Sequence, residues 1–319
     1  MSPDVVGIGA LNLDFRVSAV APELVPEWGT ERSVDAATID AVVAAAGGSV
    51  TLGGSAFNTI QAIAYAHRGL RLGYVGVAGR VPPGAPSALG ELDALGVDRR
   101  YVFRADALGG TCVSVMRDGE RTLLTHAGAN ATFADHVDRE FGALAAYLGR
   151  ARLLHVTSFL DDRSPGRLFA LLSAVKAANT GTLLSVDPGH VWCTGPTPDI
   201  LGIIGLADYL LVNRRERAAL GDRIAGHTIV VVKSPGGVAW NGGEHARPPL
   251  PAAEIADATG AGDVFAAGLL LELARDPARI GAGCELGLRL ARHGLRHHGR
   301  DGHPDFARLS QPGRLSGPV

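Results

Sequence analysis

The residues best suited to chemistry lie in Asp257-Ala258-Thr259-Gly260-Ala261-Gly262-Asp263, which leads into the apolar run Val264-Phe265-Ala266-Ala267-Gly268-Leu269-Leu270-Leu271. Glycine turns tightly and leaves little side chain between backbone N–H groups and a ligand. The run after Asp263 has helical character, so these N–H groups are expected at a helix N-terminus. Unpaired donors and about half a positive charge at such an end suit phosphate. Asp263 would stand beside that anion site, kept ionised by the helix end. A base there suits removing a proton from a hydroxyl as phosphoryl transfer begins. A plain glycine-rich turn with an Asp cap is the competing reading, and for a loose glycine pattern it wins. Two acids bracketing Thr259-Gly260-Ala261-Gly262 ahead of a long apolar helix are more specific.

Further polar groups stand at element ends. Gly53-Gly54-Ser55-Ala56-Phe57-Asn58-Thr59 opens a helical pattern over 60–68. Its glycines let a hydroxyl-rich ligand approach the main chain, and Asn58 offers both a donor and an acceptor. The alternative is a Gly-Gly turn with Asn58 near a helix start. Asn12 and Asp14 follow the apolar run 5–11, which reads as a buried parallel strand. Ligands collect outside such strand ends, although Asp14 alone could equally be a loop acid. A dinucleotide fingerprint fails, because Gly7 and Gly9 are followed by Asn12 at the third glycine position. Asn213-Arg214-Arg215-Glu216 fits a capping box as well as it fits a site. Lys233, in Val232-Lys233-Ser234-Pro235-Gly236-Gly237, reads first as a solvated lysine and second as a phosphate contact. His293, His297 and His298 lack a metal-ligand pattern and are expected on a solvated surface.

The elements that must position these groups alternate. Apolar strands are expected at 72–78, 153–158, 182–187, 209–212 and 228–232, with helices at 85–95, 133–149 and 164–179. That alternation implies parallel βαβ units with helices on both faces of one sheet, in a single domain over 1–319. Asp118-Gly119 and Asn241-Gly242 mark hairpins. Residues 17–50 have scattered Pro and an Ala/Val-rich piece, and a small lid sheet would branch there. Lid elements are expected within 12–50 and 100–130.

Residues 257–263 resemble the C-terminal signature Asp-Thr-x-Gly-Ala-Gly-Asp of the ribokinase-type (PfkB) carbohydrate kinase family, with Ala258 in place of the usual Thr. Gly53, Gly54 and Asn58 resemble its first signature, Gly-Gly-x-x-x-Asn, and His126-Ala127-Gly128-Ala129-Asn130 is similar to ribokinase-like members. The likeness spans about residues 5–300. It implies a doubly wound, mostly parallel α/β sheet with helices on both faces and a small β lid. It also implies transfer of the γ-phosphoryl group of ATP, with Mg²⁺, to a primary hydroxyl of a sugar. By resemblance Asp263 is the catalytic base, and Gly260, Ala261 and Gly262 form the anion hole. Asn12, Asp14, Gly53, Gly54 and Asn58 would hold the acceptor. Asn213, Glu216, Lys233 and Gly237 would serve the nucleotide, with Glu216 reaching Mg²⁺ through water. Asp257 and Thr259 resemble the ligands of a monovalent cation such as K⁺. The family's nucleotide loop, Thr-x-Gly-x-x-Gly, is matched only at Gly237, with Val232 and Ser234 departing from it. Arg80-Val81-Pro82-Pro83-Gly84 stands where the family places an Asp and a Gly. Lid sheets in this family often pair, so a homodimer through the lid is expected. Gly-Gly-Ser-x-x-Asn-Thr also resembles adenosine-kinase-like members, which keeps a nucleoside kinase open. A non-catalytic sugar-binding protein on the same fold is opposed by the retained Asp263.

The 319 residues suffice for one large α/β domain or two ordinary ones. With 46% hydrophobic and 19% charged residues, a packed core is expected rather than disorder. A formal charge of −2 argues against nucleic-acid or anionic-membrane partners. Cys112, Cys193 and Cys284 are too scattered for a disulfide framework, which points to a reducing cytoplasm. Met1-Ser2-Pro3-Asp4 shows no signal-peptide pattern. Residues 41–66 carry no charge and could cross a bilayer by length. Gly47, Gly48, Gly53, Gly54, Asn58 and Gln61 break the run, so it is expected as buried soluble structure.

Overall fold

Each short apolar run becomes a strand and most longer ones become helices, in a computed structural model that describes residues 2–17, 31–46, 49–117 and 120–311. In chain order, β1 (Val5–Ile8) and β2 (Asn12–Val17) precede β3 (Glu31–Ser33), α1 (Ala36–Ala46), β4 (Ser49–Gly53) and α2 (Ser55–Ala66). Next come β5 (Leu72–Arg80), α3 (Ala88–Ala94), β6 (Asp98–Leu108), β7 (Gly110–Arg117), β8 (Glu120–His126) and α4 (Phe133–Leu148). Then follow β9 (Leu153–Thr157), α5 (Ser164–Ala178), β10 (Leu183–Asp187), α6 (Gly189–Thr194), α7 (Pro198–Leu206), β11 (Tyr209–Asn213), α8 (Arg214–Leu220) and β12 (Ile229–Ser234). The hairpin β13 (Gly237–Trp240) and β14 (Gly243–Ala246) leads to α9 (Ala261–Leu273), α10 (Ile280–Leu295) and α11 (Phe306–Leu309).

The main sheet runs β14-β13-β12-β11-β10-β9-β1-β5-β6. It is parallel from β12 to β6, and only the β13/β14 hairpin is antiparallel. The chain builds outward from β1 through β5 and β6, then returns to β9 and builds the other way. The switch therefore falls between β1 and β9, and in open α/β sheets a ligand crevice lies beyond the carboxyl ends of such strands. Every residue of β1 and β9 is buried, as expected where helices cover both faces. One face packs under α2, α9 and α10, the other under α4, α5 and α7.

Helix α9 is buried continuously from Val264 to Leu273, as a helix apolar on all sides must be. It is wedged between α2 and α10. Where α9 meets α10, a Cβ added to Gly268 would lie 2.5 Å from the Gly287 nitrogen, so the two backbones touch. The N-terminus of α9 is thus anchored by the core behind it.

A second sheet, β3-β8-β7-β2-β4, stands over the crevice. Strand side chains alternate between faces. Val17, Val113, Val115 and Leu124 pack with Ile39 and Val42 of α1, while Asn12, Asp14, Cys112 and Thr125 line a cavity. The Asp118-Gly119 turn lies outside the described residues, but β7 and β8 pair antiparallel from Thr111↔His126 to Arg117↔Glu120 around it.

Two local outcomes differ from the sequence reading. β6 was not expected, because Arg99, Arg100, Arg104 and Asp106 hide its apolar alternation; charges are tolerated on this edge strand. Helix α3 begins at Ala88 rather than 85, where the Ser87 hydroxyl accepts from the Gly90 N–H at 3.3 Å. Residues 41–66 divide into the end of α1, then β4 and α2. Among the described residues no helix is long and apolar enough to cross a membrane. All three cysteines are free.

Candidate active site

The N-terminus of α9 forms the floor of the crevice. Gly260 caps it at φ +75°, in the left-handed region where glycine is the easy choice. The first N–H groups of a helix have no intrahelical acceptor. Here the Ala261 N–H turns back to Ala258 O at 3.4 Å, and Gly262 and Asp263 follow. Asp263 is met by the other signature: Asn58 Nδ2 donates to Asp263 Oδ2 at 2.8 Å, and Thr59 Oγ1 donates to the Asp263 carbonyl at 3.3 Å. Two segments 205 residues apart are thereby joined. Asn58, expected to face substrate hydroxyls, lines the polar cavity of about 290 Å³ and also donates from its amide nitrogen to this acid.

The helix end was also expected to keep Asp263 ionised. Enclosure outweighs it and pushes the carboxyl up to about 7. Burial is the largest cause, and Asp187 and Asp14 act in the same direction; the Asn58 hydrogen bond and Lys233 oppose them. An acid near 7 is half-ionised at neutral pH, a useful state for a base that takes up and releases a proton.

At Gly54 glycine is a steric requirement, and at Gly53 it leaves room for the Asp14 carboxyl. A Cβ on Gly53 would collide with the Asp14 carboxyl, and one on Gly54, at φ +106°, with the Ala10 carbonyl oxygen. Gly54→Ala combines backbone strain with that collision, so it is expected to lose at least about 2 kcal/mol of stability. Thermal denaturation checks this, and an unchanged melting temperature would mean the loop relaxes freely. Asn130 holds the neighbouring turn. Its Oδ1 accepts from the Leu11 N–H at 3.0 Å, and its Nδ2 donates to Leu11 O at 3.1 Å and Asn12 Oδ1 at 3.0 Å.

Two cavities that share Asp263 meet at this floor. The first, about 290 Å³, is lined by Asn12, Asp14 and Asn130 and by Thr157 and Ser158 beyond the end of β9. The second, about 760 Å³, has Asp187, Asn213, Glu216 and Lys233 on one side and Phe265 and Leu288 on another. Ser55, Leu123, Ala258, Ala261, Gly262 and Asp263 line both.

Lys233 is not the solvated lysine the sequence suggested. Its side chain is 18% exposed and Nζ donates to Asp187 Oδ2 at 2.5 Å. Nζ also lies 3.5 Å from where a Gly262 Cβ would stand. Burial draws its pKa down, but Asp187 more than reverses this and the net direction is up, so it stays charged. Asn213 and Glu216 do form the capping box: the Asn213 N–H donates to Glu216 Oε2 at 2.8 Å, and the Glu216 N–H to Asn213 Oδ1 at 2.9 Å. Both also line the second cavity, so the capping box borders it. Burial raises the Glu216 pKa. Gly237 lines this cavity from the start of β13.

Asp257 is engaged differently. Its carboxylate pairs with the Arg16 guanidinium of β2 and accepts the N–H groups of Thr259 at 2.9 Å and Gly299 at 3.0 Å. Burial raises its pKa, these bonds lower it, and the net direction is down. The position expected to attract K⁺ thus already faces a guanidinium. Among the described residues, no group of three or more His, Cys, Asp and Glu is arranged to hold a metal ion. His293 and His297 are half-buried rather than solvated, with rings 4.4 Å apart and His293 Nε2 3.2 Å from Asp305.

Sequence reasoning missed four residues around the site. Asp187 ends an apolar strand just before Pro188-Gly189, the strand-end signal that singled out Asp14. Thr157 and Ser158 lie at the end of β9 and carry the same signal. Arg300 has none: it sits in a basic C-terminal stretch and reaches the site only through the fold.

Comparison with known proteins gives a consistent picture. The pattern of the pfkB family carbohydrate kinases matches residues 30–300. An uncharacterized sugar kinase of Archaeoglobus fulgidus is 28% identical over 216 residues, covering 63% of this chain and 82% of the relative. The fold is similar to that of Anopheles gambiae adenosine kinase in complex with P1,P4-di(adenosine-5) tetraphosphate (TM-score 0.80, 18% identity, 95% of this chain and 98% of the other). It is also similar to a probable sugar kinase from Rhizobium etli CFN 42 (TM-score 0.79, 20% identity, 97% and 99%).

Proposed function

Because the chain belongs to the pfkB family of carbohydrate kinases, we propose that it moves the γ-phosphoryl group of ATP to a primary hydroxyl of a sugar, with Asp263 as the base. The observation that carries this reading is that Asp263 and Gly262 line both cavities, one polar and of sugar size, the other larger and partly apolar. In the first, Asn12, Asp14 and the Thr157–Ser158 end of β9 offer hydrogen bonds to an acceptor. In the second, the apolar wall suits a nucleotide base and the polar side suits its phosphates.

The acceptor oxygen loses its proton to Asp263 and forms a bond to the γ-phosphorus, while the bond from that phosphorus to the β–γ bridging oxygen breaks and ADP leaves. The amides at the start of α9 and the Lys233 ammonium face the charge on the transferring group. Most of the acceleration then comes from placement and electrostatics. Asp187, Glu216 and Asp263 are the carboxylates of the second cavity, which Lys233, Arg215, Arg247 and Arg292 also line, and a divalent cation arriving with the nucleotide would find its oxygen partners among them. Glu216 would hold Mg²⁺ through water, and the ion would neutralise phosphate charge there. At Asp257, Arg16 supplies the positive charge that a monovalent cation would otherwise bring.

A panel of sugars and nucleosides with ATP and Mg²⁺, with and without K⁺, and with the product phosphate located, tests this. A sugar phosphorylated on a primary hydroxyl with no K⁺ requirement is the expected result. A nucleoside as sole acceptor would replace the sugar assignment, and sugar binding with no ATP consumption would replace the kinase assignment.

A further inference from the structure

Arg300 lies in the turn after α10, far in sequence from either signature. The preceding residue is tied down, since the Gly299 N–H donates to Asp257 Oδ2 at 3.0 Å. From that turn Arg300 Nη2 donates to the Leu52 carbonyl at 2.6 Å and to Asn58 Oδ1 at 2.9 Å. The guanidinium carbon is 5.3 Å from the centre of the Phe57 ring. A guanidinium carries donors only, so the Asn58 atom that faces it has to be the oxygen. The amide nitrogen is thereby turned to Asp263, at 2.8 Å. Were the amide reversed, its nitrogen would meet the donors of Arg300 and its oxygen would meet a carboxylate. Both contacts would be repulsive.

We propose that Arg300 is a positioning residue for phosphoryl transfer: it locks Asn58 in the one orientation that donates to Asp263, and so keeps that carboxylate aimed and ready to accept a proton. This rests on Asp263 being the base. The charged and titratable groups around Asp263 are Asp14 from β2, Tyr74 from β5, Asp187 from β10, Lys233 from β12 and Arg300 itself. Enclosure, Asp187 and Asp14 favour the protonated acid, while the Asn58 bond and Lys233 favour the carboxylate. Without Arg300 the Asn58 amide is free to turn. Its contribution then fades, and more of the acid is protonated at neutral pH.

Arg300→Met keeps an apolar stem against Phe57 and removes the donors. It is expected to melt near the parent temperature, to lose about tenfold in turnover, the scale of one hydrogen bond to a charged group, and to move the acid limb of the pH–rate profile up by about one unit. Arg300→Lys, which keeps a charged donor, should recover part of both effects. In an Asn58→Ala background, Arg300→Met should cause a clearly smaller loss, because the route through Asn58 is already cut and only the direct attraction between Arg300 and the Asp263 carboxylate is left to lose. Should Arg300→Met fail to fold, Arg300→Lys with and without Asn58→Ala carries the same comparison. Additive losses, or an unmoved acid limb, would overturn the proposal. Asp263→Asn separates the two layers. If that variant stays active, the base assignment itself fails; if it is inactive while Arg300→Met matches the parent, only the role of Arg300 fails.

Discussion

Asp263→Asn is expected to fold and to lose at least about a hundredfold in turnover, the scale of a missing general base. The new amide can still accept the Asn58 bond through its oxygen, so the loop geometry should survive. In the parent, turnover should rise as pH climbs through about 7, where Asp263 releases its proton; the residual rate of the variant should lack that limb. The stability sign follows from the same shift. The folded pKa of about 7 lies above the ordinary 3.8, so between those values the unfolded chain has already shed a proton that the folded chain retains. The parent is therefore most favoured below about pH 4. It loses stability progressively as pH rises toward 7, and above that it carries the cost of an enclosed carboxylate. Removing that charge relieves the cost. Asp263→Asn should thus be more stable than the parent at pH 8, on the order of a few kcal/mol, with the gap closing near pH 4. Chemical denaturation at both pH values checks the sign, and rate assays across pH check the limb. A variant that is active, or less stable at pH 8, would contradict the picture.

Lys233→Met is the second large effect. The ammonium sits beside Gly262 at the floor shared by both cavities and is held by Asp187. Removing it takes a positive charge from the place where phosphoryl charge is expected, at a cost of about a hundredfold in turnover, with a raised KM for ATP. It also leaves Asp187 without its ion partner in a setting where that side chain is 14% exposed. Breaking such a pair should cost about 2 kcal/mol or more, somewhat below a fully buried case. Lys233→Arg keeps the charge and should retain stability better than turnover, because a planar fork does not replace a point charge. Turnover near the parent in Lys233→Met, at a temperature where it is folded, would remove Lys233 from the phosphate site.

The parallel core was legible because its chemistry is local. Short apolar runs such as 153–157 and 183–187, alternating with longer helical stretches, read as strands of a covered parallel sheet, and the Thr259–Gly262 loop before an all-apolar helix announces a buried helix start. What could not be read depends on edges and on distant partners. Strand β6 hides behind arginines that an edge tolerates. Lys233 looked like any surface lysine until Asp187 arrived from a separate strand. The raised pKa of Asp263 comes first from the enclosing walls, with Asp187 and Asp14 adding to it, and no spacing in the sequence states that they converge. Asn58 shows the same limit: its residue type suggested sugar hydroxyls, and only the fold supplies Arg300 and Asp263 on its two sides.

The contact between Gly268 and Gly287 sets α9 hard against α10. A rod clamped along its length has one pose, so the amides at its tip cannot be re-aimed without rebuilding the middle of the molecule. Any tailoring to a bulkier or slimmer acceptor must fall instead on the thin upper wall, where β2, β7 and β8 rest on a small apolar cluster of their own with α1.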